Sequence, residues 1–187
     1  MRFIESIRKR LSPKTITTIN EIGTIIGAAT GDDIPDGYWN LSGAMYAYIF
    51  LELTKLGIDV AGESQLVGYP TQFPDVSMMN WENGKPNARY WILKLIKDNF
   101  GPGDNLVATS LSGSSVITQA FVTASGKKIL LINPGNKAVT MGLPADLIKG
   151  MVNYVDESTG ENSIAEMQLN DNVITLKPFA VAVIKVK

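Results

Sequence analysis

Residues 15–24 read TITTINEIGT, and the fold class of the chain turns on them. The β-branched run 15–19 alternates polar and apolar side chains, the composition and period of a strand. Asn20-Glu21 closes it just before Gly23. A carboxylate at the end of a strand invites a catalytic reading, because α/β barrels place their chemistry at the C-terminal ends of strands. The bland alternative is a solvated loop glutamate.

Helical patterns bracket this strand. Upstream, Phe3, Ile4, Ile7 and Leu11 recur at helical spacing, with Arg2, Glu5, Arg8, Lys9 and Arg10 on the other faces. Ser12-Pro13 breaks that helix. Downstream, residues 40–56 read as a helix with Leu41, Ala44, Met45, Tyr48, Ile49, Glu52 and Leu56 on one face, closed by Gly57. Residues 58–61 form a second short apolar strand that Gly62-Glu63-Ser64-Gln65 closes, a second strand ending in a glutamate. Residues 87–100 are the clearest helix, with Ala88, Trp91, Ile92, Leu95 and Ile96 as its apolar stripe and Arg89, Lys94, Lys97 and Asp98 facing outward. Two strands joined through a crossover helix make a parallel pair. Two strands with three helices are too few to close a barrel, so this half reads as part of something larger.

Two connections are longer than compact domains usually allow. The first, 23–37, is rich in Gly, Ala, Asp and Pro. The second, LVGYPTQFPDVSMMNWENGKP at 66–86, carries three prolines and three aromatic residues among exposed amides. Aromatic faces stack on sugar rings while amides and carboxylates bind hydroxyls, although an ordinary packed loop has the same mixture.

Gly101-Pro102-Gly103-Asp104 marks a boundary. Beyond it come only short strands: LVATS, VITQAFVT, KKILLIN, KAVTMGL, GMVNYVD, AEMQLN, VITLK and FAVAVIKVK, the last alternating cleanly. Ser125-Gly126, Pro134-Gly135-Asn136, Thr159-Gly160-Glu161 and Asn170-Asp171-Asn172 mark turns between them. The expected fold is α/β plus all-β, with domains at 1–101 and 102–187, the second a small antiparallel sandwich.

Composition narrows the chemistry. The 187 residues carry 17 basic and 18 acidic side chains with no long run of either sign, so no nucleic-acid footprint is expected. The chain has no cysteine and no histidine, which removes thiolate and imidazole nucleophile systems and the usual zinc ligands. Carboxylates, Tyr, Lys and hydroxyls remain, and neither a metal nor a cofactor is expected. The basic opening residues lack the apolar core of a signal peptide, and no segment approaches the roughly 20 apolar residues of a membrane span. The compartment stays unread.

The runs WNLSGAMYAYIF, GIDVAGESQLVGYPTQFPDVSMMNW and NGKPNARYWILKLIKDNFGPGDNLVATS resemble the C-terminal part of family 39-like glycoside hydrolases, most specifically over residues 39–110. That resemblance implies the end of a (β/α)₈ barrel followed by a β-sandwich. The 15–19 strand then looks like barrel strand seven, the 58–61 strand like strand eight and the 87–100 helix like the last barrel helix. It implies Glu21 as the nucleophile of a retaining enzyme, while the acid/base glutamate that the clan carries on strand four has no counterpart here. Glu63 is the in-chain carboxylate placed to approach Glu21, with a supporting role on a hydroxyl or backbone group preferred. Asn20, Tyr38, Gln65, Tyr69, Gln72 and Trp81 are sugar-contact candidates by loop position and side-chain type. A carbohydrate is the expected ligand, and a second copy or the missing barrel half the expected protein partner. A non-enzymatic binding or interaction module is the competing reading.

Overall fold

The computed structural model describes residues 2–24, 34–35, 37–67, 76–111, 115–160 and 162–186. Three helices and two parallel strands alternate first: α1 (Arg2–Arg10), β1 (Thr18–Ile22), α2 (Tyr38–Lys55), β2 (Val60–Glu63) and α3 (Ala88–Asn99). Eight short strands follow: β3 (Asn105–Val107), β4 (Ile117–Thr123), β5 (Gly126–Ile132), β6 (Val139–Gly142), β7 (Met151–Val155), β8 (Ala165–Gln168), β9 (Val173–Leu176) and β10 (Val181–Lys185). The fold is therefore α/β plus all-β: a parallel pair with three helices, then an antiparallel sandwich.

The first strand lies further along than its composition indicates. β-Branched residues favour extended backbone throughout 15–19, but a strand exists only where a neighbour supplies hydrogen bonds, and that neighbour starts at Val60. Thr18 pairs with Val60, Ile19 with Ala61 and Ile22 with Glu63. Between the last two pairs, Asn20 and Glu21 face Gly62 alone, which makes a β-bulge. Glu21 thus sits inside the final turn of pairing instead of beyond it.

In the sandwich, six strands order as β3-β4-β5-β10-β7-β8, and β6-β9 form a second, two-stranded sheet. β10 pairs antiparallel with β5 on one side and β7 on the other. Its residues Val181, Ala182, Val183 and Ile184 are all buried, so the expected half-solvated alternation gives way to a strand covered on both faces. Val181 and Val183 join Phe121, Leu130, Ile132 and Val155 against Ala44, Ala47, Leu51, Ala88, Ile92 and Leu95 of α2 and α3. Ala182 and Ile184 face Met141, Ile174 and Leu176 of the small sheet. One apolar core accordingly runs across residue 101, and a second fills the sandwich.

α2 buries a different face from the one its large residues mark. Leu41, Met45 and Tyr48 share a side, but that side is exposed. The buried positions include Ser42, Gly43, Ala44 and Ala47, small enough to let α3 approach. An ideal Cβ on Gly43 would lie 2.4 Å from Cδ1 of Ile92. Gly57 ends α2 at φ +68°, a conformation glycine adopts without strain.

α3 holds the other correction. Arg89 does not face outward; it is fully buried, at 0% exposure. Its position is set by Asn87, whose Oδ1 accepts the Arg89 backbone N–H at 3.0 Å and whose Nδ2 donates to the Ser77 carbonyl at 2.7 Å. A buried guanidinium needs a fixed counter-charge, and β2 supplies one.

Candidate active site

The end of the β1–β2 pair gathers the polar side chains. Opposed residues in a sheet point to the same face and successive ones to opposite faces. Ile22 and Glu63 are opposed, so Glu63 points toward the helices, and Glu21 and Ser64 point the other way. Hydrogen bonding agrees: Ser64 Oγ donates to Glu21 Oε1 at 2.9 Å, and the Glu21 side chain is exposed.

On the helix side, Arg89 Nη2 forms an ion pair with Glu63 Oε1 and donates to the Tyr46 hydroxyl at 2.8 Å. Tyr46 in turn donates to the carbonyl of Ile22 at 3.0 Å. That carbonyl also accepts the Ser64 backbone N–H at 2.9 Å, which fills both of its lone pairs. The guanidinium carbon lies 4.9 Å from the centroid of the Tyr46 ring and 5.9 Å from that of Trp39, within cation–π range.

Burial pushes the Glu63 carboxyl above its ordinary range, with the Arg89 charge opposing the shift. Burial likewise pushes the Tyr46 phenol far up, again against Arg89, so the phenol keeps its proton and remains a donor. The Glu63 side chain is 8% exposed, and its Oε2 is buried without a hydrogen-bond partner among the described residues.

The remaining candidates separate. Asn20 is exposed beside Glu21, its Oδ1 accepting from Thr18 Oγ1 at 3.1 Å. Tyr38 is buried, and its hydroxyl engages Thr24 Oγ1 at 2.8 Å, which in turn contacts Ser42 Oγ at 2.7 Å. That places Tyr38 as support for the segment after β1. Gln65 is exposed and takes φ 57°, a left-handed kink directly after Ser64. Trp81 is 55% exposed, on the turn before α3. Tyr69 and Gln72 lie outside the described residues.

The structure therefore brings Glu21 and Ser64 to one face, leaves Asn20 and Gln65 exposed next to them in the chain, and turns Glu63 to the other face. Glu21 and Glu63 do not form a facing carboxylate pair. Ser64, Tyr46 and Arg89 belong to the site although spacing does not single them out. Ser64 alone leaves a trace in the sequence, as the residue after the second strand-end glutamate. Gly62 is a further contributor: an ideal Cβ there would lie 2.5 Å from the Asn20 carbonyl oxygen, so only glycine lets β2 pass this close to the bulge. Chemically, the arrangement is an exposed carboxylate aimed by a strand bulge and held by one hydroxyl donor. Such a group can attack an electrophilic carbon or take a proton.

No protein-family model matches the chain, and no curated protein matches it. Solved structures do. The catalytic domain of a family 30 xylanase C from Talaromyces cellulolyticus is similar over 94% of this chain and 42% of its own, at 16% identity and a TM-score of 0.66. A β-porphyranase of glycoside hydrolase family 86 from Bacteroides plebeius matches over 91% and 34%, at 16% identity and a TM-score of 0.62. An arabinose-bound family 51 α-L-arabinofuranosidase matches over 98% and 34%, at 14% identity and a TM-score of 0.63. At these identities the likeness is one of fold, and the chain spans well under half the length of each structure. The chain has a glycoside-hydrolase-like fold, with neighbours in families 30, 86 and 51 instead of a specific tie to family 39.

Proposed function

We propose that this chain is the C-terminal part of a retaining glycoside hydrolase, of the family 39-like kind that residues 39–110 resemble, with Glu21 as its nucleophile. The observation that carries this reading is the placement of Glu21: exposed, at a bulge ending a parallel strand, with one oxygen held by Ser64. Retaining hydrolysis needs a second carboxyl about 5–5.5 Å away to protonate the leaving oxygen. Glu63 is turned to the opposite face and paired with Arg89, so it does not supply that acid, and on this reading the acid lies outside this part of the enzyme. Alone, the chain holds half of a catalytic pair.

A leaving group that departs without protonation removes the need for the missing acid. With a 2,4-dinitrophenyl 2-deoxy-2-fluoro-glycoside, a Glu21 oxygen attacks the anomeric carbon and dinitrophenolate leaves with the bonding electron pair. The expected result with the xyloside or glucoside is a fluoroglycosyl adduct on the Glu21 peptide, seen by mass spectrometry and absent in Glu21→Gln. Unactivated oligosaccharides stay intact. Absence of any adduct, or an adduct elsewhere, overturns the nucleophile. Hydrolysis of unactivated glycosides that Glu21→Gln abolishes overturns the incomplete pair.

A second reading is an interaction module that associates with the missing barrel half or with a second copy. It is supported by apolar side chains left exposed on the N-terminal half: Phe3 at 77%, Ile16 at 74% and Val60 at 53%. A monodisperse monomer by light scattering at high protein concentration counts against it.

A further inference from the structure

Three bonds lead from Arg89 to the carbonyl of Ile22, the residue after Glu21, and to Glu63, the residue before the Ser64 that holds Glu21. Arg89 Nη2 serves the Tyr46 hydroxyl and Glu63 together, and Tyr46 passes the constraint to the Ile22 carbonyl. The same carbonyl holds the Ser64 N–H, and the Ser64 hydroxyl holds Glu21 Oε1. We propose that Arg89 is a positioning residue for Glu21: it locks the ends of β1 and β2 together from behind and so fixes the direction in which the carboxylate is presented.

The chemistry favours arginine in this place. A planar guanidinium holds two acceptors from one nitrogen while its face lies against the Tyr46 and Trp39 rings. The Tyr46 phenol is protonated and has a single hydrogen, so accepting from Arg89 leaves that hydrogen for the Ile22 carbonyl. The Asn87 cap in turn sets where Arg89 emerges from the first turn of α3. A β-bulge leaves a residue unpaired and the ladder locally disrupted, so the carboxylate it carries has less backbone restraint than one inside a regular strand. The buried network supplies the restraint from the side opposite to the substrate.

The proposal rests on the reading of Glu21 as nucleophile, and its test separates the two. Removing Arg89 alone leaves the Glu63 charge buried, so the first variant is the neutral pair Arg89→Met with Glu63→Gln. The second is Tyr46→Phe, which deletes one hydroxyl and keeps the ring. In the full chain, inactivation by the dinitrophenyl 2-deoxy-2-fluoro-glycoside is resolved into a binding constant and a first-order rate constant. Both variants are expected to lower the rate constant by roughly tenfold to a hundredfold with the binding constant little changed, as misplacement of a reacting group does. An unchanged rate constant in a variant with a cooperative unfolding transition overturns the positioning role.

The second measurement needs no reaction. In protein carrying 13C at glutamate side-chain carboxyls, the Glu21 resonance is assigned by its loss in Glu21→Gln. It is expected to move in Tyr46→Phe and in Ser64→Ala, and a resonance that stays in place in both overturns the proposal. If the wild type takes no label while the resonance moves, the nucleophile reading fails and the positioning role stands. If the double variant does not fold, Tyr46→Phe carries both measurements.

Discussion

Lys128 on β5 donates its ammonium to the backbone carbonyl of Asn99, the last residue of α3, at 2.8 Å. The final carbonyls of a helix lack intrahelical partners and carry the negative end of its dipole, so a buried cation there answers both needs. The bond also fastens the helix that carries Arg89 to the six-stranded sheet. Burial and the nearby Lys185 pull the Lys128 ammonium below its ordinary range, with Asp104 opposing the shift. Lys128→Ala is expected to cost about 1.5–3 kcal/mol, the range for a hydrogen bond to a charged group, in urea unfolding at neutral pH. A loss within a few tenths of a kcal/mol contradicts the coupling.

Gly62 carries the second expectation. A Cβ there meets the backbone of Asn20, which has no rotamer by which to move aside. Gly62→Ala should destabilise the chain by about 1–3 kcal/mol, as overpacking does, and weaken the pairing that brings Ser64 to Glu21. Chemical denaturation measures the first effect. Hydrogen exchange of the Ser64 amide, bonded to Ile22, reports the second.

The close approach of α2 and α3 gives a coupled pair. Gly43→Ala alone places a methyl 2.4 Å from Cδ1 of Ile92 and is expected to cost about 1–3 kcal/mol, offset in part by alanine's better helix propensity. Ile92→Val removes that Cδ1 and by itself costs about 0.5–1.5 kcal/mol. Together the two should cost less than their sum by at least about 0.5 kcal/mol, which a double-mutant cycle reads directly. Simple additivity rules out the contact.

Glu63 sets a pH dependence with a definite sign. Its folded-state carboxyl titrates above the ordinary value of 4.5, so the native state binds that proton more tightly than the unfolded chain does. The stabilisation that follows is present below 4.5 and is lost as pH rises through the raised value. Relative to Glu63→Gln, whose side chain does not titrate, the wild type should lose unfolding free energy as pH climbs from about 4 toward neutrality. Urea midpoints across that range check it, and the opposite slope would mean that Arg89 outweighs burial.

The sequence makes some of this architecture legible and hides the rest for physical reasons. The eight strands after residue 104 stand out because turn chemistry is local: Gly126 takes φ 116° at the hairpin between β4 and β5, and Ser125-Gly126 marks it. The buried face of α2 is hidden because small residues, not large ones, allow two helices to touch, so the stripe of Leu41, Met45 and Tyr48 points away from the core. Arg89 is hidden for a different reason. Charge predicts exposure unless a partner is present, and Glu63 lies 26 residues away in the chain, a separation that no helical or strand period encodes. Glu21 is legible as a strand-end carboxylate, whereas the bulge that aims it depends on Gly62 in another strand.

The burial of β10 on both faces has a consequence for the order of events during synthesis. Val181–Lys185 is made after every other described strand, yet it lies inside the larger sheet and belongs to both apolar cores. Until it leaves the ribosome, β5 and β7 have no common neighbour, and the inner faces of α2 and α3 lack the valines that cover them. The nascent chain carries that uncovered surface until Val181–Lys185 emerges, and closure then rests on distant pairings, the slow kind.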